Sequence, residues 1–255
     1  MSCLCKEKEI KKLPNNKLST VKVSIYSGCC RQYEEEFHAL IEALNSLPCE
    51  YKIFEELPCC SHNIFPHIRP NLALGINLNT LKSLSEYSNI ALTTCSSCFL
   101  CFKKTLKLSF EKENIISLNR YFKIYNSFSF LLKYFFKYVY TVLSFYENQK
   151  ILFLVGIHNI LGEGKRDIFV NYLKEFKEFN IDIFELKYFA FNTLEKYFLY
   201  KEPFEFYINT LKKVKSNYDL AISFSSLNTY YLKLKFGDFI KDIWKEISLL
   251  KLKLR

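Results

Sequence analysis

The run VKVSIYSGCCRQYEEEFHALIEALNSLPCEYKIFEEL, residues 21–57, decides the fold. Its opening, VKVSIYSG (21–28), is rich in β-branched and aromatic side chains and stops at Gly28-Cys29. The segment 33–47 then spaces Tyr33, Phe37, Leu40, Ile41 and Leu44 at three- and four-residue intervals, the apolar face of a helix. EYKIFEEL (50–57) is strand-like again and leads into Pro58-Cys59-Cys60. Further on, a helix is expected over about 73–87 and a third strand over NIALTT (89–94), ending at Cys95. Parallel strands joined by helices return the chain to one edge of the sheet, the edge where open α/β sheets bind their ligands. Each cysteine group follows a strand, so all of them are expected on that edge.

The second half repeats this plan without the cysteines. KILFLVGIH (150–158), a helix over about 164–179, IDIFEL (181–186), a helix over about 203–216 and YDLAISFSS (218–226) come in the same order. Gly28-Cys29 matches Gly156-Ile157, Cys59-Cys60 matches Lys187-Tyr188, and IALTTCSSC (90–98) aligns with LAISFSSLN (220–228). The expected fold is therefore α/β, with two tandem pseudo-repeated domains of mainly parallel sheet joined by a helical segment. The divisions read as a tail (1–20), a cysteine-rich domain (21–112), a helical connector (113–149), a degenerate second domain (150–237) and an amphipathic C-terminal helix (238–255). The connector is strongly apolar from Ile115 to Tyr146, but Lys123, Lys133 and Lys137 break any run approaching the ~20 apolar residues of a membrane span. Two helices packing the lobes together are expected there.

A chain of 255 residues, 49% hydrophobic, can bury one large core or two smaller ones. Its ten cysteines are Cys3, Cys5, Cys29, Cys30, Cys49, Cys59, Cys60, Cys95, Cys98 and Cys101, so none falls in the last 154 residues. Met1 to Lys17 is polar and lysine-rich, unlike a signal peptide, and reduced thiols in a cytoplasm are expected in place of a disulfide framework. Residues 1–101 carry 10 Lys+Arg and 10 Asp+Glu, so all of the net +10 lies in the cysteine-free part. No helix-turn-helix, RNA-binding sheet or zinc-finger pattern accompanies that charge, which argues against a nucleic-acid partner. Gly162-Glu163-Gly164-Lys165 lacks the length and the Ser/Thr of a phosphate-binding loop and reads as a turn.

One Cys, 29 residues, Cys-Cys, 34 residues and Cys-Ser-Ser-Cys make the metal constellation: Cys29, Cys59, Cys60, Cys95 and Cys98. Thiolates prefer zinc or iron–sulfur clusters to hard cations. The plainer alternative is a set of buried or reactive thiols without metal. Cys30 and Cys101 read as reserve ligands or substrate thiols, and Cys49 as structural. His62 and His67 lie near the Cys59-Cys60 loop, just after it, as proton donors or as solvated side chains, and His158 follows a lost ligand position.

This arrangement resembles the cysteine-rich CCG domain family, over about residues 21–250. Its members include the CCG-bearing subunits of heterodisulfide reductases and of unusual succinate dehydrogenases and fumarate reductases. The resemblance implies a non-cubane 4Fe–4S cluster held by Cys29, Cys59, Cys60, Cys95 and Cys98, in an electron-transfer subunit of an oxidoreductase. It also implies redox partners, a ferredoxin-like iron–sulfur subunit or a flavoprotein, or in the succinate dehydrogenase case electron exchange with quinone. Ser61 replaces the motif's usual glycine and the second domain lacks every ligand, so at most one such cluster is expected. The alternative cofactor is zinc, held by four of the five thiols in an assembly or anchoring subunit. The tail FIKDIWKEISLLKLKLR (239–255) places Ile240, Ile243, Trp244, Ile247 and Leu250 at helical spacing among lysines, which suits packing on its own domain, a partner, or peripheral contact with the inner face of a membrane.

Overall fold

A computed structural model describes residues 20–60, 69–111, 118, 121–156, 174–186 and 201–250. Two four-stranded sheets, parallel throughout, share one strand order. In the first, β1 (Val21–Tyr26) lies between β2 (Cys49–Phe54) and β3 (Ile90–Thr93), and β4 (Lys123–Asn126) pairs outside β3. In the second, β5 (Ile151–Gly156) lies between β6 (Ile181–Leu186) and β7 (Leu220–Ser223), with β8 (Ile240–Asp242) outside β7. This is the two-domain α/β architecture expected from the strand–helix alternation.

The register tests the alignment of the halves. Ser24 pairs with Ala91 while Leu152 pairs with Ala221, so Ser24 and Leu152 are equivalent, as the match of Gly28 to Gly156 requires. Ser24 also pairs with Lys52 but Leu152 with Asp182, which makes the first crossover two residues longer in the second half. The proposed match of Cys59-Cys60 to Lys187-Tyr188 is out of step with that register by two; Lys187, Tyr188, Ile157 and His158 themselves lie outside the described residues.

Each sheet is covered on both faces, as parallel sheets are. The described helices are α1 (Glu34–Ser46), α2 (Pro70–Tyr87), α3 (Ser96–Glu111), α4 (Ser127–Tyr134), α5 (Phe136–Ser144), α6 (Lys201–Lys215), α7 (Ser226–Phe236) and α8 (Ile243–Ser248). Alternate strand residues feed two cores. Val23, Ile25, Leu92, Phe153 and Ile222 pack with α1, α4, α5 and α8 in a core shared by both halves. Tyr26, Ala91, Leu152, Leu154 and Ala221 face the opposite way, onto α2, α3, α6 and α7.

The fourth strands correct two expectations. The connector is not purely helical: Lys123–Asn126 joins the first sheet as β4, since Ile124 and Tyr125 each bury a side chain on opposite faces, and α4 and α5 come after it. The tail is not one helix from 238: Gly237–Phe239 is a 3₁₀ turn, Ile240–Asp242 is β8, and α8 begins at Ile243. Asn126 and Asp242 end their strands in the same way. The Asn126 side chain accepts from the backbone N–H of Ser129 at 2.9 Å, and that of Asp242 from the N–H of Trp244 at 2.9 Å, each capping the next helix. Trp244 is fully buried and its indole N–H donates to the Ser127 hydroxyl at 3.1 Å, so this ring joins the halves and is withdrawn from any membrane surface. No helix among the described residues is long and apolar enough to cross a membrane.

Candidate functional site

The first sheet changes direction between β1 and β3, whose neighbours lie on opposite sides, and the crevice beyond the carboxyl ends at such a point is where this architecture binds ligands. Gly28 ends β1 with φ +48°, a left-handed conformation that a side chain would strain; a Cβ there would also lie 2.6 Å from the ring of Tyr26, which is fully buried. That turn starts the 3₁₀ segment Gly28–Gln32, which contains Cys29 and Cys30. Cys30 is buried; the side chain of Cys29 lies outside the described residues.

Two hydrogen bonds tie the end of β1 and the residue after it to the end of β2 and the loop that follows. The Tyr26 hydroxyl donates to the carbonyl of Pro58 at 2.7 Å and the Ser27 hydroxyl to that of Phe54 at 3.1 Å. They fix the approach of Cys59-Cys60, with Cys59 exposed and Cys60 buried. From the other side, Cys95 follows β3 and its carbonyl accepts from the N–H of Phe99 at 3.0 Å, opening α3. Cys95, Cys98 and Cys101 then recur at three-residue intervals at the start of that helix, a spacing that keeps neighbours on one side, and all three are buried.

The two segments meet at sulfur. Cys60 Sγ donates to Cys98 Sγ at 3.1 Å, and the Cys101 thiol donates to the Cys60 carbonyl at 3.5 Å. Contacts with Cys101 and then Cys59 hold the Cys60 thiol well above its ordinary pKa, aided by burial and by Cys95, while Cys98 opposes the shift. Cys30, Cys49, Cys59, Cys60, Cys95, Cys98 and Cys101 stand outside any disulfide. Cys49 stays apart: at the start of β2 its thiol donates to the Leu44 carbonyl at 3.3 Å, and burial pushes its pKa up to about 11.

Asn77 was not anticipated. It is 2% exposed, its side-chain N–H donates to Cys101 Sγ at 3.2 Å, and its Oδ1 has no partner. The readable signal was an amide on the apolar stripe of α2, at helical spacing from Ala73, Leu81 and Leu84. Ser97, within the Cys-Ser-Ser-Cys run, is likewise buried with an unpartnered hydroxyl oxygen.

The donor set fits a soft metal in type: several reduced thiols on one edge, beside buried polar atoms that lack partners. Its spacing is tighter than a metal would leave it. Two thiolates sharing one tetrahedral ion at ~2.3 Å sit roughly 3.8 Å apart, so Cys60 and Cys98 would have to separate to hold one. Among the described residues, no three metal-competent side chains are placed around one ion position. His62 and His67 lie outside the described residues, as do Cys3, Cys5 and the Gly162–Lys165 turn.

No protein-family profile matches the chain, and no curated protein does. Three solved chains match in fold. One is glutamate racemase from Bacillus anthracis, 12% identical, covering 93% of this chain and 82% of its own at a TM-score of 0.39. A likeness that distant carries no argument about this site.

Proposed function

We propose that this chain is an iron–sulfur electron-transfer subunit of a heterodisulfide-reductase-like complex, with one non-cubane 4Fe–4S cluster for thiol/disulfide-linked redox chemistry. The observation that supports it most is the contact of Cys60 with Cys98. Two segments 38 residues apart in sequence bring their thiols together at the carboxyl edge of a sheet, where nothing about packing alone requires cysteine. Cys29, Cys59, Cys60, Cys95 and Cys98 would hold the cluster. When bound, it would supply one-electron transfer at a site rich in thiolate. The chain's own contribution is to exclude water through the burial of Cys60, Cys95 and Cys98, to fix the Cys59-Cys60 loop through Tyr26, and to leave Cys59 open to solvent. Electron donors of the ferredoxin-like or flavoprotein kind are the partners this reading calls for.

Zinc is the second reading, and one distance favours it. At 3.1 Å, Cys60 and Cys98 would need to separate by less than about 1 Å, to ~3.8 Å, to share a single ion, a smaller change than a span across several irons would require. Metal content and the visible spectrum of protein purified without oxygen decide between them. About four iron per chain with broad absorbance near ~400 nm supports the cluster. About one zinc and no colour makes the chain a structural metal module instead.

A further inference from the structure

Cys59, Cys60 and Cys98 run from solvent to core. Cys59 is exposed and in hydrogen-bond contact with Cys60, which is 3% exposed; Cys60 touches Cys98, 1% exposed, sulfur to sulfur at 3.1 Å. Forming a bond between the inner two requires an approach of only about 1 Å, to ~2.05 Å.

We infer that Cys60 and Cys98 are a reversible dithiol/disulfide pair, oxidised through Cys59 by a low-molecular-weight disulfide whenever no metal holds the thiols. Cys59 sulfur attacks one sulfur of the small disulfide, whose S–S bond breaks and releases a first thiol carrying the Cys59 proton. Cys60 attacks the Cys59 sulfur of that adduct and expels the second thiol, which takes the Cys60 proton. Cys98 then attacks Cys60; the strained bond between neighbours Cys59 and Cys60 breaks, and Cys59 regains a proton from Cys98. In sum, Cys60 and Cys98 lose two electrons and two protons, and the small disulfide becomes two thiols. Since both sulfurs belong to the proposed donor set, the disulfide and a bound metal exclude each other, and the redox state of the thiol pool gates metal loading. The pair itself does not depend on which metal binds.

The test treats metal-free, folded protein with oxidised glutathione and maps its disulfides by mass spectrometry. A single Cys60–Cys98 link, reversed by dithiothreitol, is expected. Cys59→Ser should slow its formation by about tenfold, because Cys60 and Cys98 are themselves buried, and Cys98→Ser should stall at a glutathione adduct on Cys59 or a Cys59–Cys60 bond. Oxidised wild type should take up no zinc until it is reduced. Thiols that stay reduced, a link joining other cysteines, or unchanged zinc uptake after oxidation would each overturn the pair, with no variant needed. Iron found in anaerobic protein whose metal-free form gives no such link would sink this inference alone; the link without iron would sink only the cluster.

Discussion

The two halves share strand order, parallel pairing and the helix starts after their third and fourth strands, yet one edge is lined with thiols and its counterpart is not. Cys95 and Ser225 occupy the same place. Each follows the third strand, and each accepts a hydrogen bond from the residue four positions on, Phe99 N–H at 3.0 Å and Thr229 N–H at 2.8 Å. Cys95 looks onto other sulfurs, whereas the Ser225 hydroxyl is buried without a partner. The backbone that delivers a residue to this edge is therefore indifferent to its chemistry. The second half adds adhesion: Trp244 on Ser127, Tyr231 on Tyr33 with hydroxyls 2.9 Å apart, and Lys233 and Lys245 on Glu35 and Glu36. One repeat holds the thiols and the other holds the first repeat.

The sharpest way to break that division is at the thiols. Cys60→Ser or Cys98→Ser should lower bound metal by at least about tenfold, since even the partners of metal ligands commonly cost that much. Cys49→Ser should leave it unchanged, because Cys49 bonds only to its own neighbourhood. Metal analysis of the three purified variants checks this; equal loss from all three would mean the thiols act through folding. The complementary change, Ser225→Cys, should recruit no metal, as a single thiol on the second edge finds no others.

Adhesion is tested next. Trp244→Ala removes the largest fully buried side chain from the core that both halves share. The loss should be about 3–5 kcal/mol, read by denaturant unfolding. A variant whose two halves then unfolded separately would show that this ring couples them.

Asp242 sits beside that ring and gives the pair of halves a pH dependence. Burial holds its carboxyl at about 7, and Glu36 reinforces the shift while Lys233 opposes it. The native state therefore keeps a proton that the unfolded chain releases near 3.8, so stability falls as pH rises between those values and levels off above about 7. Asp242→Asn keeps the cap on Trp244 and removes the titration. It should gain roughly 2–4 kcal/mol at pH 8 and nothing at pH 4, a difference that thermal unfolding at the two values resolves.

Much of this was legible in the residues, and the rest was hidden for physical reasons. Periodicity found β1, β2, β3 and their repeats because each carries apolar residues in strand alternation or in a short run and stops at a turn; most of the helix expected over 164–179 lies outside the described residues. It missed β4 and β8, which are four and three residues long and run directly into capped helices, so that Lys123–Asn126 and Ile240–Asp242 look like the first turn of α4 and α8. The carboxyl edge could be foreseen from topology, and the meeting of Cys60 with Cys98 is a consequence of it. Asn77 was readable only as an amide on an apolar helix stripe; that its side chain faces a sulfur is visible in the packing alone. Trp244 among lysines has the pattern of a surface anchor; that its apolar face is turned inward depends on β8 pairing with β7, which no local spacing encodes.

The smallest expected effect separates two adjacent side chains on the same interface. Glu35 is exposed, and its hydrogen bond with Lys245 at 2.9 Å, helped by Lys233, lowers its pKa; Glu36 is 2% exposed, and burial raises its own despite the same lysine at 3.8 Å. The sign of each follows from the competition between desolvation and pairing, and one residue of helical rotation reverses the winner. For Glu35 the solvent-screened pair is worth under ~1 kcal/mol. That contribution is present above the unfolded pKa near 4.5 and is lost as pH falls through the lower folded value. Glu35→Gln should therefore cost a few tenths of a kcal/mol at pH 7 and low salt, and nothing at high salt, where ions screen the exposed pair. A loss that persisted in high salt would mean that Glu35 clasps the halves by packing, and the contrast with Glu36 would then rest on shape and not on charge.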